Sequence, residues 1–281
     1  MFKIKKKKNL TPQTKLFIVD APLVATKVLP GQFVVIRIHE EGERIPLTVA
    51  DFNRDQGDLT LIFQEVGKTT VELGALEEGD GILDVVGPLG NSTHIENFGT
   101  AACIGGGIGI APVFPIARAL REAGNRVVSV IGARSGDLLI LEKEMAAVSD
   151  EIFVTTDDGS YGKKAFVTQE MERLIGEGYR FEFAIGIGPL PMMRAFAGVT
   201  SKYGIPAKVS LNPIMVDGTG MCGVCRVSIG GKTRFACVDG PEFDAAEVDY
   251  DVLLARQATY CEEEKESLDR YEQRKCGGCS E

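Results

Sequence analysis

Histidine is nearly absent: His39 and His94 are the only two in 281 residues, and both lie far from the cysteine cluster. A metal centre built on imidazole is therefore not expected. Basic residues are in deficit, 31 against 40 acidic ones, giving a net charge of −9. That balance argues against nucleic acid as a partner, because phosphate binding needs a basic surface. Every apolar stretch is broken by glycine or charge before about 18 residues, so no membrane span is expected. The basic run Lys5 to Lys8 is not followed by an apolar segment, which leaves a solvated first strand instead of a secretory signal. A cytoplasmic location is expected, and no internal repeat is visible.

Seven cysteines are present: Cys103, Cys222, Cys225, Cys237, Cys261, Cys276 and Cys279. An odd number in a chain without a signal favours metal or redox chemistry over a disulfide framework. Hydrophobic content of 44% and charged content of 25% are ordinary for a globular protein of two or three domains.

Residues 1–98 alternate in the manner of short β strands separated by turns such as Pro30-Gly31 and Gly79-Asp80-Gly81, which predicts an antiparallel barrel. Residues 99–210 alternate strands with helices, which predicts a parallel, doubly wound sheet. One of those helices is expected across residues 138–149. The cysteines concentrate over 211–256, around a Gly-rich loop and a short hairpin. Residues 257–281 form a charged tail, expected as a helix that frays.

Gly105-Gly106-Gly107-Ile108-Gly109-Ile110-Ala111-Pro112 stands between an apolar strand and an amphipathic helix. Glycines there admit a pyrophosphate to the backbone, and the helix N-terminus offers free N–H groups. The alternative is a simple tight turn, since Ile110 replaces the third glycine of G-x-G-x-x-G. Three further turns close strands at their carboxyl ends, where ligands bind in open α/β sheets. They contain Arg134, Asp157, and Gly188-Pro189 with Met192. In the barrel, Arg44-Ile45-Pro46-Leu47-Thr48 is a candidate flavin strand. Gly67-Lys68-Thr69-Thr70 offers N–H groups, hydroxyls and an ammonium to a flavin pyrophosphate, or else is an N-cap after a turn.

Cys222-Gly-Val-Cys225, with Cys237 eleven residues beyond, supplies three thiolates. Counting back at C-x4-C-x2-C spacing places Asp217 where the remaining ligand of a [2Fe–2S] cluster belongs. Zinc remains open for an isolated C-x-x-C, although zinc sites usually have two such pairs or histidines. Cys276-Gly-Gly-Cys279 reads as a metal or redox pair, or as part of a mobile tail. Cys103 reads as a buried apolar residue.

The four glycine- and proline-bearing turns, in this order, resemble those of the ferredoxin–NADP reductase superfamily over residues 1–210. That resemblance implies a flavin-binding barrel followed by a nicotinamide domain. The cysteine that this family often carries just before its last turn is replaced here by Gly186-Ile187-Gly188. The family's flavin-strand arginine sits one residue early, at Arg44, which would put it on the other face unless a bulge intervenes.

The cluster segment resembles that of dihydroorotate dehydrogenase electron-transfer subunits. Residues 212–225, with aspartate in place of the first cysteine, are more similar to the small-subunit family of NADH-dependent ferredoxin:NADP+ oxidoreductases, also described as sulfide dehydrogenase small subunits. This resemblance implies an FAD, a [2Fe–2S] cluster and NAD(H) in this chain. It also implies a larger partner holding a second FAD, [4Fe–4S] clusters and the NADPH site, through which ferredoxin is reached indirectly. Electron bifurcation, an electron-transfer role for a sulfide or dihydroorotate dehydrogenase, and a redox-sensing module are the readings that follow. NAD rests on the resemblance, since Arg134 suits a 2′-phosphate and no acidic residue claims the ribose.

Overall fold

The computed structural model describes residues 1–277. The chain begins with β1 (Phe2–Asn9), β2 (Thr14–Asp20), the single turn α1 (Pro22–Ala25), β3 (Phe33–Arg37), β4 (Ile45–Asn53) and β5 (Asp58–Gln64). The helix α2 (Lys68–Gly74) and strands β6 (Gly81–Ile82) and β7 (Asp84–Leu89) follow. These strands form one antiparallel sheet in the order β6-β1-β2-β5-β4-β3-β7. Its two outer strands are separated in the chain by Leu83 alone, so the sheet curls until its ends nearly meet. Alternation supplies the reason: Phe17, Val19, Val34, Ile36, Leu59, Leu61 and Phe63 all point into one core. On the solvent side, Lys5 pairs with Asp20 and Asp58 and Lys7 with Glu77, so the basic run is a solvated strand.

The second sheet is built from β8 (Thr100–Gly106), α3 (Ile110–Glu122), β9 (Arg126–Ala133), α4 (Glu142–Ala147) and β10 (Glu151–Thr156). It continues through β11 (Lys163–Lys164), α5 (Val167–Gly176), β12 (Phe183–Ile187), α6 (Leu190–Tyr203) and β13 (Ala207–Ser210). The helix expected across 138–149 is confined to α4. Leu138 closes a 3-10 turn, Leu139 is extended, Ile140 is buried in the core it shares with α3, and Leu141 takes a left-handed φ of 55° before the helix starts.

After the nucleotide sheet come β14 (Arg226–Ile229), β15 (Lys232–Phe235), α7 (Ala236–Asp239), β16 (Glu242–Asp244), α8 (Tyr250–Gln257) and α9 (Cys261–Gly277). The second sheet runs β11-β10-β9-β8-β12-β13-β16, parallel except for the antiparallel pairing of β13 with β16. The cysteine-bearing segment thus adds an edge strand to the nucleotide sheet. The strand order reverses between β8 and β12, which makes their carboxyl ends the switch point where such sheets bind ligands. Among the described residues no helix is long and apolar enough to cross a membrane.

Candidate functional site

At the switch point the loops after β8 and β12 touch. A Cβ on Gly109 would run into the carbonyl of Ile187, and one on Gly188 would lie 2.6 Å from Met192 Sδ. Gly106 and Gly109 are thus brought against Gly188, Pro189 and Met192, with Gly105, Gly107 and Pro112 alongside in the same loop, and together they outline one cradle. A single 3-10 turn, Gly107–Gly109, leads into the 13-residue helix α3, and the Ile110 amide donates to Gly107 O, so the glycine turn itself forms the helix's leading end at these loops. Beside it, the turns after β9 and β10 are joined. Asp157 N donates to Ala133 O and Asp158 N to Arg134 O, both at 3.1 Å, while Gly136 N donates to Ser160 Oγ at 2.9 Å. The Arg134 and Asp157 side chains are exposed at this rim.

The nucleotide layer is fixed to the barrel through α3. Ala50 of β4 and Ile62 of β5 pack into the core of α3, and Arg118 Nη2 meets Asp51 Oδ1 at 2.7 Å. In β4 the residues Ile45, Pro46, Leu47 and Thr48 pair in unbroken register with Ile36, Val35, Val34 and Phe33 of β3. Ile45 and Leu47 pack on the barrel core, so Pro46 and Thr48 take the outer face. The exposed Arg44 precedes the strand by one residue. No bulge intervenes over 45–48, and alternation puts Arg44 in line with Pro46 and Thr48.

The turn Gly67–Thr70 opens α2. Thr70 Oγ1 accepts from the amides of Val66 and Gly67 at 3.0 Å, which is a cap. Thr69 Oγ1 donates to Glu43, and Lys68 Nζ lies 3.8 Å from the same carboxylate. The capping role is therefore real, and it leaves the Lys68 ammonium near the solvent edge of the turn.

In the cysteine segment, Cys225 and Cys237 are buried with their sulfurs 3.1 Å apart, and neither is in a disulfide. Burial, then the neighbouring Cys225, push the Cys237 thiol up to about 12. Asp217 accepts from Thr219 Oγ1 at 2.8 Å, from Thr219 N at 3.1 Å and from Met221 N at 3.0 Å, and those bonds hold its carboxyl below the usual range. Cys222 is exposed on the same loop. Among the described residues no three His, Cys, Asp or Glu side chains converge on one point. The structure thus brings Cys225 and Cys237 together and keeps Asp217 and Cys222 on the facing loop. Two close sulfurs with two further hard and soft donors on a glycine-rich loop suit an iron–sulfur centre. Cys103 is fully buried, its thiol pushed up to about 12, and is a core residue. Cys261 is exposed, and the side chains of Cys276 and Cys279 lie outside the described residues.

The cluster loop lies against the barrel. Gly218, at φ +80°, would with a Cβ sit 2.8 Å from Leu89 Cδ1 and 3.1 Å from Val35 Cγ2. Phe33, Val35 and Leu89 share a packed core with Met215, Cys225 and Cys237. Since Val35 pairs with Pro46, one β-strand spacing of roughly 4.8 Å separates the loop's support from the candidate flavin strand. Sequence reasoning missed Phe33, Val35 and Leu89 as this bridge. Its signal was present in β3, where four of five residues are buried, as happens when both faces of a strand are covered.

This chain is 52% identical over 268 residues to the dihydroorotate dehydrogenase B (NAD(+)) electron transfer subunit homolog of Thermotoga maritima, covering 95% of this chain and 94% of that one. The chain belongs to the dihydroorotate dehydrogenase B electron-transfer subunit family. A Geobacillus thermodenitrificans electron transfer subunit of dihydroorotate dehydrogenase B is 36% identical, over 80% of this chain and 89% of its own length. The iron–sulfur cluster binding domain of dihydroorotate dehydrogenase B matches residues 212–249, and an oxidoreductase NAD-binding domain matches residues 103–197. A solved chain of an NADH-dependent reduced ferredoxin-NADP oxidoreductase, studied for flavin-based electron bifurcation, superposes with a TM-score of 0.92. It is 50% identical, and the match covers 96% of this chain and 98% of that one.

As a member of this family the chain is an electron-transfer subunit of oxidoreductase type, with the ferredoxin-reductase-like fold. Its cofactors are FAD, an iron–sulfur cluster and NAD(H). The names of its relatives make them subunits of larger assemblies.

Proposed function

We propose that this electron-transfer subunit carries FAD and a [2Fe–2S] cluster in an NADH-dependent ferredoxin:NADP+ oxidoreductase, passing electrons between a larger partner and NAD(H). One observation carries the proposal: the cluster loop rests, through Gly218, on Val35 and Leu89 of the barrel, beside the strand that holds Pro46 and Thr48. A nicotinamide site, a flavin strand and a cluster loop then stand in series, from the switch point across β4 to the cysteines. Bound FAD would convert between the two electrons of a nicotinamide and the single electrons of a cluster.

The residues have these roles in the proposal. The cradle of Gly105, Gly106, Gly107, Gly109, Gly188 and Pro189 takes the dinucleotide's pyrophosphate, with Arg134 and Asp157 at its adenosine side and Met192 beneath. Pro46, Leu47 and Thr48 hold the isoalloxazine edge by strand backbone and hydroxyl, and Arg44 and the turn Gly67–Thr70 hold its phosphates. Asp217, Cys222, Cys225 and Cys237 ligate iron, with Thr219 orienting Asp217. The larger partner, bearing its own FAD, [4Fe–4S] clusters and the NADPH site, covers the cluster loop. Exposed Met221, Val216 and Val238 on that face support this placement. Three segments are proposed for these tasks, 1–98, 99–210 and 211–256, with 257–281 as a C-terminal extension.

A second reading follows from the match at residues 212–249: a partner that oxidises dihydroorotate. Expression of the chain alone and with candidate partners separates them. The proposal expects NADH–dye reduction by the chain alone and ferredoxin-linked NADP+ reduction only with the larger subunit. Ferredoxin-linked NADP+ reduction by the chain alone would refute the heteromer, and a complex active only with dihydroorotate would favour the second reading.

A further inference from the structure

The helix α9 returns from the far end of the chain to pack against α2, the helix that opens at Gly67. Little apolar surface is available for that return. Between Glu262 and Arg274 the only apolar residues are Leu268 and Tyr271, both partly buried, so the apolar face of the helix is narrow and the rest of it is polar. Between the two helices lies a cavity of about 350 Å³, walled by Lys68 on one side and by Ser267, Arg270, Tyr271 and Arg274 on the other. Glu263 and Glu266 also line it, and Arg270 Nη2 meets Glu266 at 3.1 Å. Three cations against two carboxylates leave the wall net positive. Among the described residues Arg274 forms no ion pair, and the nearest carboxylate to Lys68 is Glu43 at 3.8 Å. The size falls in the range of small-molecule sites, roughly 300–1,000 Å³. Guanidinium groups suit phosphate because their planar donors engage two oxygens at once.

We infer that α9 is the outer wall of the flavin site: Arg270 and Arg274, facing Lys68 across this cavity, hold the adenylate half of FAD. This rests on reading Gly67–Thr70 as the turn that takes the flavin's first phosphate. The turn then binds what FAD and FMN share, and α9 binds what only FAD has. An extension that follows the cluster segment thereby selects the cofactor of the first segment, and the otherwise polar helix is ordered by its ligand.

The test is binding of FAD and of FMN to the flavin-free full chain, followed by quenching of flavin fluorescence. Arg270→Gln with Arg274→Gln should weaken FAD about ten-fold or more, the scale of a lost charge-assisted bond, and leave FMN within about three-fold. Arg270→Lys with Arg274→Lys should recover only part of the FAD affinity that the glutamine pair loses, because the charge stays while the two-oxygen engagement of the guanidinium goes. Lys68→Gln should weaken both flavins. FAD affinity unchanged in the double glutamine variant, or FAD and FMN weakened equally, overturns the assignment of α9. If Lys68→Gln still weakens both flavins, the phosphate turn stands without it. If neither variant alters either flavin, the reading of the turn fails as well.

Discussion

Cys225 Sγ and Cys237 Sγ lie 3.1 Å apart in a buried pocket, each from a different side of the β14–β15 hairpin. Cys225 precedes β14 and Cys237 follows β15, and the antiparallel pairing of Arg226 with Phe235 is what brings them together. Two of the four proposed iron ligands are thus set by hairpin register and two by the loop in front of it. Slipping the hairpin by one residue would separate the sulfurs, because neighbouring strand positions face opposite ways.

The loop ligands predict a redox effect. Asp217 is held by Thr219 and by the Met221 amide, so its carboxylate is oriented before metal arrives. Asp217→Cys exchanges a hard oxygen donor for a soft sulfur at constant charge and should shift both the EPR spectrum and the midpoint potential. Thr219→Ala should shift the potential in a smaller degree with the cluster retained. Redox-titrated EPR of the three proteins reads both effects, and an unchanged spectrum in Asp217→Cys would remove Asp217 from the ligand set.

The dinucleotide cradle predicts a charge effect that steric arguments cannot mimic. A Cβ on Gly107 would meet nothing within 4 Å, but its φ is +56°, a conformation Asn and Asp both tolerate. Gly107→Asn and Gly107→Asp differ only in charge before the N-terminus of α3. The aspartate should raise KM for NADH at least about ten-fold over the asparagine, since an anion there repels pyrophosphate and satisfies the helix dipole itself. Flavin content should be the same in both. Equal KM values would place the pyrophosphate elsewhere.

Glu242 predicts a pH dependence of stability. It joins the segments: its carboxylate accepts from Thr93 Oγ1 at 2.5 Å, next to Gly31, and faces Lys208. Desolvation, opposed by the Thr93 bond and Lys208, raises its carboxyl to about 7 from an ordinary 4.5. The folded chain therefore holds this proton over that window while the unfolded chain releases it. Stability from this group is complete below about pH 4.5 and falls as pH rises towards 7, beyond which the full penalty remains. Glu242→Gln, which keeps an acceptor for Thr93, should melt higher than wild type above pH 7 and equal it near pH 4.5. Thermal unfolding across that range checks the sign.

The exposed apolar face predicts a partner effect. Met221 is 86% exposed beside Cys222. Met221→Glu should abolish co-purification with the larger subunit and ferredoxin-linked turnover, while NADH–dye reduction by the chain stays within about two-fold. Retained co-purification would move the docking face away from the cluster loop.

Most of the fold was legible because each segment's hydrophobic period matched its environment. Residues 15–20, 33–37 and 58–64 alternate or run apolar as strands, and the glycine turns punctuate the α/β segment where β8, β9, β10 and β12 end. What was not legible depends on contacts between segments. The apolar stretch before Glu142 looks helical, but Leu138 closes a 3-10 turn, Ile140 is buried in the core it shares with α3, and Leu141 is left-handed, so the helix starts only at Glu142. The displacement of Arg44 reads in the sequence as a side chain moved to the other face, and the unbroken pairing of 45–48 with β3 agrees, since alternation sets position 44 in line with Pro46 and Thr48 and opposite Ile45 and Leu47. Spacing alone proposes Asp217 as a ligand, whereas the support of its loop by Val35 and Leu89 required the barrel and the cysteine segment to be seen side by side.

In the proposed function the nicotinamide, flavin and cluster sites work in series within this one chain. Anaerobic mixing of the purified chain with NADH, rapid freezing and EPR test it most directly. The account predicts that a reduced-cluster signal grows in after the flavin absorbance bleaches, and that it is missing from flavin-stripped chain and from Cys225→Ser. A cluster that NADH reduces equally well without flavin, or a cluster that electrons from the bleached flavin never reach, would contradict it.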